Sequence, residues 1–113
     1  MPPHRSPRRP PDRAGLAILI GLALTAGRAQ AEDTLLARNL AATCASCHGS
    51  NGQARGDFKP LAGVSADKII AMLADFKSGA QPATVMHQIA KGYSDEQIRL
   101  IAHYMAAQPA ATK

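Results

Sequence analysis

Apolar residues recur at the spacing of an amphipathic α-helix in three segments of the chain. The first predicted helix starts near Asp33 or Thr34, either of which can cap it, and ends at Gly49. Its apolar face consists of Leu36, Leu40, Cys44 and Cys47. Between Gly49 and Gly63 the glycine-rich composition predicts a loop.

Two further helices are predicted after this loop. Ser65 can cap the second, which ends at Ser78-Gly79, and the third opens with the capping-box pattern Ser94-Asp-Glu-Gln97. A short helical turn from Val85 to Ala90 is expected between them. No run of alternating or β-branched residues is long enough to predict a strand. The sequence therefore predicts an all-α domain with three or more helices.

The first 31 residues have the pattern of a cleaved signal peptide. A basic, proline-rich opening precedes an apolar run over residues 14–26, and Ala29 and Ala31 form an Ala-x-Ala cleavage site. Thirteen apolar residues are fewer than the roughly 20 that a membrane-spanning helix needs, so no permanent membrane anchor is expected. We predict export to the periplasm, cleavage after Ala31, and one mature domain over residues 32–113.

The positive charge of the chain lies mostly in that leader. The whole sequence has a formal charge of +5, whereas residues 32–113 carry eight Lys and Arg against seven Asp and Glu. A nearly neutral domain lacks the basic surface that nucleic-acid binding requires. We therefore expect no nucleic-acid partner.

The segment Cys44-Ala-Ser-Cys47-His48 contains both cysteines of the chain and has the spacing of a c-type haem attachment site. Two cysteines three positions apart on a helix share a face, so both sulfurs can reach one porphyrin edge while His48 binds the iron. The same spacing also suits a disulfide or a thioredoxin-like redox site, but the latter requires a βαβ context. A zinc site would need further ligands close to the two cysteines. Haem c is the interpretation that we adopt.

A second axial ligand is expected on the other side of the iron. The candidates are Met72, Met86, Met105, His87 and His103. Met72 and Met105 lie at core spacing within helices, and methionine is a common core residue. Met86 lies in an irregular segment that can approach the iron, with His87 as its main competitor. We predict Met86 as the ligand, and a backbone carbonyl near Pro60 as the acceptor for the other nitrogen of His48.

Three sequence stretches together resemble a known family: Cys-Ala-Ser-Cys-His-Gly-Ser-Asn-Gly, then Pro-Leu-Ala-Gly, then Thr-Val-Met-His-Gln-Ile-Ala-Lys-Gly-Tyr-Ser-Asp. Over nearly the whole mature chain the sequence resembles class I cytochromes c. More narrowly, it resembles the cytochrome subunit of flavocytochrome c sulfide dehydrogenase. The resemblance implies a small class I cytochrome c fold, wrapped around one covalently bound haem, with the methionine at Met86 as distal ligand. The family usually has Pro-x-Leu-Ala-Gly, and Lys59 stands here at the position of that proline.

The same resemblance implies a function in electron transfer. In that enzyme a separate flavoprotein subunit oxidises sulfide at FAD, and the cytochrome subunit accepts the electrons. We therefore expect a heterodimer in which FAD belongs to the partner and this chain performs no catalysis alone, with a further electron acceptor downstream. A free soluble carrier that serves other redox enzymes is the alternative. A haem-based sensor or peroxidase would require that Met86 is not a ligand.

Overall fold

The computed structural model describes residues 30–110. The chain divides into two units, Met1–Ala31 and Glu32–Lys113. The expected signal peptide and its apolar run therefore lie outside the described residues, apart from residues 30 and 31. Between residues 30 and 110, no helix is both long enough and apolar enough to cross a membrane.

The described residues form five α-helices and no β-strand. Helix α1 covers residues 30–42, and the next four are α2 Ala45–His48, α3 Ala66–Ser78, α4 Met86–Lys91 and α5 Asp95–Ala106. A short 3-10 helix, Ser50–Gly52, follows α2. The all-α prediction is confirmed, and the expected short turn from Val85 to Ala90 corresponds to α4.

The first predicted helix differs from the structure at its start and near its end. Residues 30–32 are already helical, so neither Asp33 nor Thr34 occupies the N-terminal cap. The helix is also interrupted at Thr43 and Cys44, where the Thr43 hydroxyl donates a hydrogen bond to the Leu40 carbonyl at 2.9 Å. An α-helix would offer that carbonyl to the Cys44 N–H, which instead bonds to Ala41 O at 3.1 Å. The Leu40 carbonyl accepts instead from the Thr43 hydroxyl and, at 3.4 Å, from the Thr43 N–H, so the α-helical hydrogen-bond pattern of α1 ends here.

The ends of the later helices follow the sequence more closely. Ser94 accepts a hydrogen bond from the Gln97 N–H at 3.2 Å, and the Gln97 side chain accepts one from the Ser94 N–H at 2.9 Å, so the predicted capping box is confirmed. Ser65 occupies the cap position of α3, but its side chain makes no capping hydrogen bond. Gly79 ends α3 in the left-handed conformation, with φ 84°.

A small core joins α1, α3 and α5. Its buried members are Ala41, Ile69, Ile101, Ala102 and Met105. Helix α3 packs against both α4 and α5. Met105 is 1% exposed and lies at the centre of this cluster, next to the loop that follows α2. The core therefore fixes the C-terminal half of α5 against the segment that carries the predicted haem attachment site.

Candidate functional site

The two cysteines and the histidine of the attachment motif lie together on α2. Cys44 is the residue before this one-turn helix, and Cys47 and His48 form its end. Both cysteines are free thiols; Cys44 is half-buried and Cys47 is exposed. The three-residue spacing on a helical turn places both sulfurs on one side of α2. This arrangement presents two thiols to one partner group at the protein surface.

The two thiols differ in their electrostatic environment. Burial raises the pKa of the Cys44 thiol above its usual range, and the adjacent Thr43 side chain partly offsets this rise. The cause is desolvation, which disfavours the thiolate form of the half-buried Cys44.

The imidazole of His48 is held in one orientation by a backbone carbonyl. Its Nδ1 lies 2.7 Å from the carbonyl oxygen of Lys59, as expected for a carbonyl near Pro60. A carbonyl only accepts, so Nδ1 carries the proton and Nε2 keeps a lone pair for a metal. Phe58 packs edge-on against the same ring, with centroids 6.4 Å apart. Together these contacts prepare His48 as a ligand through Nε2.

The loop that supplies this carbonyl is anchored to the core through Gly52. The Gly52 carbonyl accepts hydrogen bonds from the N–H groups of Leu61 and Ala62 at 2.8 and 3.1 Å. The Gly63 N–H donates to the Met105 carbonyl at 3.0 Å. A Cβ on Gly52 would lie 2.8 Å from Met105 Sδ and 2.8 Å from Ala62 N. Such close approach requires glycine, so residue 52 sets how near the loop comes to α5.

Met86 begins α4, well separated in sequence from α2. It is half-buried, and so is the adjacent His87. The Nδ1 atom of His87 is buried and finds no hydrogen-bond partner within residues 30–110. Burying such a nitrogen without a partner is unfavourable, so it indicates a group that the described residues do not provide.

The other predicted candidates for an axial ligand lie elsewhere in the fold. Met105 is enclosed in the core, Met72 packs against that core, and His103 is exposed on α5. The structure therefore assigns Met72 and Met105 to packing, in agreement with their helical spacing. Met86 and His87 are left as the two candidates beside an irregular segment.

Apolar side chains near the site are unusually exposed. Phe58 is 54% exposed and Val85, directly before Met86, is 53% exposed, while Ile89, one turn later on α4, is 39% exposed. Haem presents a flat apolar body to its protein, so surfaces of this kind fit it. The donors on α2 also fit, because they offer two thiols and an imidazole with a free Nε2.

The contacts of Tyr93 were not predicted from the sequence. The hydroxyl of Tyr93 hydrogen-bonds to the hydroxyl of Thr43, and Lys77 Nζ donates to the Tyr93 carbonyl at 2.8 Å. Tyr93 lies 50 positions after Thr43, and a pairing between such distant residues leaves no periodic signal in the sequence. The only signal at this tyrosine is its place in the Lys-Gly-Tyr-Ser stretch of the family resemblance.

The chain is similar to several c-type cytochromes of known identity. The chain is 43% identical over 65 residues to the cytochrome subunit of sulfide dehydrogenase from Chlorobaculum tepidum, which covers 58% of this chain and 59% of that protein. It is 33% identical over 97 residues to cytochrome c-553 of Nitratidesulfovibrio vulgaris, covering 79% of this chain and 95% of that protein. It thus spans about three-fifths of the first relative and nearly all of the second.

A solved structure of cytochrome c4 from Acidithiobacillus ferrooxidans matches with a TM-score of 0.55 and 41% identity, over 57% of this chain and 38% of that one. This match confirms the predicted class I cytochrome c fold. Residues 31–105 match the family described as cytochrome C oxidase, cbb3-type, subunit III. The chain therefore belongs to the cytochrome c family, and residues 31–105 form an electron-transfer domain of the kind that binds haem c covalently.

Proposed function

We propose that one haem c is attached through Cys44 and Cys47 and that His48 is its proximal ligand. The observation that carries this assignment is the hydrogen bond between His48 Nδ1 and the Lys59 carbonyl, which leaves Nε2 free for iron. When bound, haem c supplies a reversible one-electron couple. The residues of α2 hold the group, and the Lys59 carbonyl fixes the tautomer of His48.

The distal ligand that we propose is Met86. Its position at the start of α4, partly exposed beside Val85 and Ile89, supports this choice over the packed Met72 and Met105. A thioether ligand favours reduced iron more than a second imidazole does, which suits an electron acceptor.

The ligand assignments are tested with two variants of the haem-loaded protein. Met86→Ala should abolish the weak red charge-transfer band of oxidised methionine-ligated haem, and His87→Ala, its neighbour on α4, should retain that band. The reverse pattern would assign His87 instead. A haem content other than one per chain in the purified wild type would contradict the single-haem proposal.

We infer that the domain is the periplasmic electron-transfer subunit of a sulfide dehydrogenase and accepts electrons from an FAD flavoprotein. The likeness to the Chlorobaculum tepidum subunit supports this function. The nearly neutral charge of residues 32–113 also suits a permanent interface better than steering by opposite charges. Oxidation of sulfide then belongs to the partner, since both thiols of this chain are used to attach haem.

A free soluble carrier is the second candidate. It is favoured by the cytochrome c-553 of Nitratidesulfovibrio vulgaris, a relative that aligns over 95% of its own length. Such a domain would meet its redox partners by transient contacts, which are smaller than those of a permanent heterodimer.

The two candidates are separated by isolating the tagged chain from the periplasm of its own host. Haem and flavin absorbance in one complex, with haem reduced on addition of sulfide, is the result expected for the subunit. Haem absorbance in a lone chain that sulfide does not reduce would favour the carrier. Mass spectrometry of the same sample tests cleavage after Ala31, and an intact leader would contradict the export proposal.

A further inference from the structure

Helix α4, which carries Met86, packs against α3 but buries few of its side chains. It contains six residues, of which only Ala90 is buried. Val85 and Ile89 on either side of its first turn are largely exposed. A helix this short is not stable alone, and few buried contacts permit local opening. The polar contacts around α4 therefore matter for its position.

Tyr93 makes several of these contacts from its place just after α4. Its N–H bonds to Ala90 O at 3.3 Å, and its carbonyl accepts from Lys77 Nζ at 2.8 Å. Its ring packs against the core, and its hydroxyl reaches Thr43 in the turn between α1 and α2. One residue thus connects α4 to α3 and to the segment that directly precedes Cys44.

The direction of the hydroxyl contact follows from the number of protons available. The Thr43 hydroxyl has one proton, which it donates to Leu40 O at 2.9 Å. The Tyr93 hydroxyl is therefore the donor to Thr43 Oγ1. The resulting chain of two hydrogen bonds runs from Tyr93 to a backbone carbonyl of α1, and each bond polarises the next. Within the described residues, this is the hydrogen-bonded connection between the α1–α2 turn and the α4 side of the domain.

We propose that Tyr93 is a positioning residue that holds α4 against the haem attachment segment and thereby limits how readily Met86 leaves the iron. The proposal rests on the proposed ligation by Met86. Loss of the Tyr93 hydroxyl leaves the ring packing intact but removes the connection to Thr43. The open state of α4 then becomes more populated, and an external ligand gains access to the iron.

Imidazole is the external ligand for the test, and it is titrated into the oxidised, haem-loaded protein. A net contribution of about 0.5–1.5 kcal/mol for one hydrogen bond corresponds to about a two- to twelve-fold change in an equilibrium constant. We expect imidazole to bind Tyr93→Phe about fivefold more tightly than the wild type. Thr43→Val should raise imidazole affinity at least as much, because it keeps the branched shape but removes both the acceptor for Tyr93 and the hydrogen bond to the Leu40 carbonyl.

Two variants serve as controls. Thr43→Ser keeps a hydroxyl at this position and should restore the wild-type affinity for imidazole. Tyr104→Phe removes a different tyrosine hydrogen bond, that to Asn51 Oδ1 at 2.8 Å, and should leave imidazole affinity unchanged. The double variant Tyr93→Phe with Thr43→Val should bind imidazole no more tightly than Thr43→Val alone, since the Tyr93 hydroxyl has already lost its acceptor in that single variant.

Each outcome bears on a different claim. If Tyr93→Phe binds imidazole like the wild type, or if Tyr104→Phe shows an equal gain, the proposal for Tyr93 is wrong. If Tyr93→Phe does not retain haem, the imidazole affinities of Thr43→Val and Thr43→Ser test the proposal instead. Equal affinities in these two variants would then show that the proposal is wrong. A wild-type protein without the methionine charge-transfer band would instead overturn the assignment of Met86.

Discussion

Replacing Gly52 by alanine should destabilise the domain well beyond the usual effect of a surface substitution. The residue has φ 75°, a conformation that costs an L-residue about 1–2 kcal/mol. The added Cβ would also lie 2.8 Å from both Met105 Sδ and Ala62 N, and one of these contacts is backbone. Overpacking of this kind costs about 1–3 kcal/mol. We expect Gly52→Ala to lower the free energy of unfolding by about 2–5 kcal/mol in total.

Gly56 provides a matched control, because its φ of 70° is nearly the same and nothing lies within 4 Å of the Cβ that an alanine would add there. Gly56→Ala should therefore show only the conformational cost, about 1–2 kcal/mol. The assay is guanidinium unfolding of the haem-loaded proteins, with the midpoint compared at equal slope. Equal destabilisation by the two substitutions would refute the argument that the close approach of Met105 and Ala62 requires glycine at position 52.

Two other predictions concern the N-terminal cap of α5 and the ion pair between Lys77 and Asp95 beside it. Ser94→Ala should lower the free energy of unfolding by about 1 kcal/mol, or the melting temperature by about 4–8 °C. Ser65→Ala, at the cap of α3 where the side chain makes no hydrogen bond, should have a much smaller effect. Equal shifts in melting temperature would contradict the capping-box argument. The hydrogen bond and charge of Lys77 lower the pKa of Asp95 below its usual range. Unfolded Asp95 therefore binds its proton more readily than folded Asp95, so its stabilising contribution is present above about pH 4 and is lost as the pH falls through the folded pKa. Urea unfolding of Asp95→Asn and wild type should show a difference at neutral pH that disappears in acid, and a constant difference would exclude this linkage.

The parts of the fold that depend on neighbouring residues could be predicted from the sequence. The capping box at Ser94, the end of α3 at Gly79 and the short helix at Met86 all follow from residues within a few positions of each other. The hydrogen bond between His48 and a backbone carbonyl could also be predicted, because Pro60 restricts the backbone of Lys59 and the loop between His48 and Lys59 is short. Local chemistry determined each of these features.

The features that the sequence did not predict depend on competition or on distant contacts. At the break between α1 and α2 the Leu40 carbonyl accepts from the hydroxyl and the N–H of Thr43 instead of the Cys44 N–H, and helical periodicity continues across this break. The hydrogen bond between Thr43 and Tyr93 joins residues 50 positions apart. Hydrophobic spacing describes a face of a helix, and it contains no information about which hydroxyl lies opposite that face in the folded chain.

The acceptor for His48 Nδ1 is a main-chain oxygen, and this has a consequence for how the site can vary. Every residue type has such an oxygen, so the lysine at position 59 preserves the hydrogen bond although related cytochromes usually have proline there. The side chain of Lys59 is exposed. Substitutions at position 59 can therefore change the charge beside His48, the proposed iron ligand, while the tautomer of this histidine stays fixed.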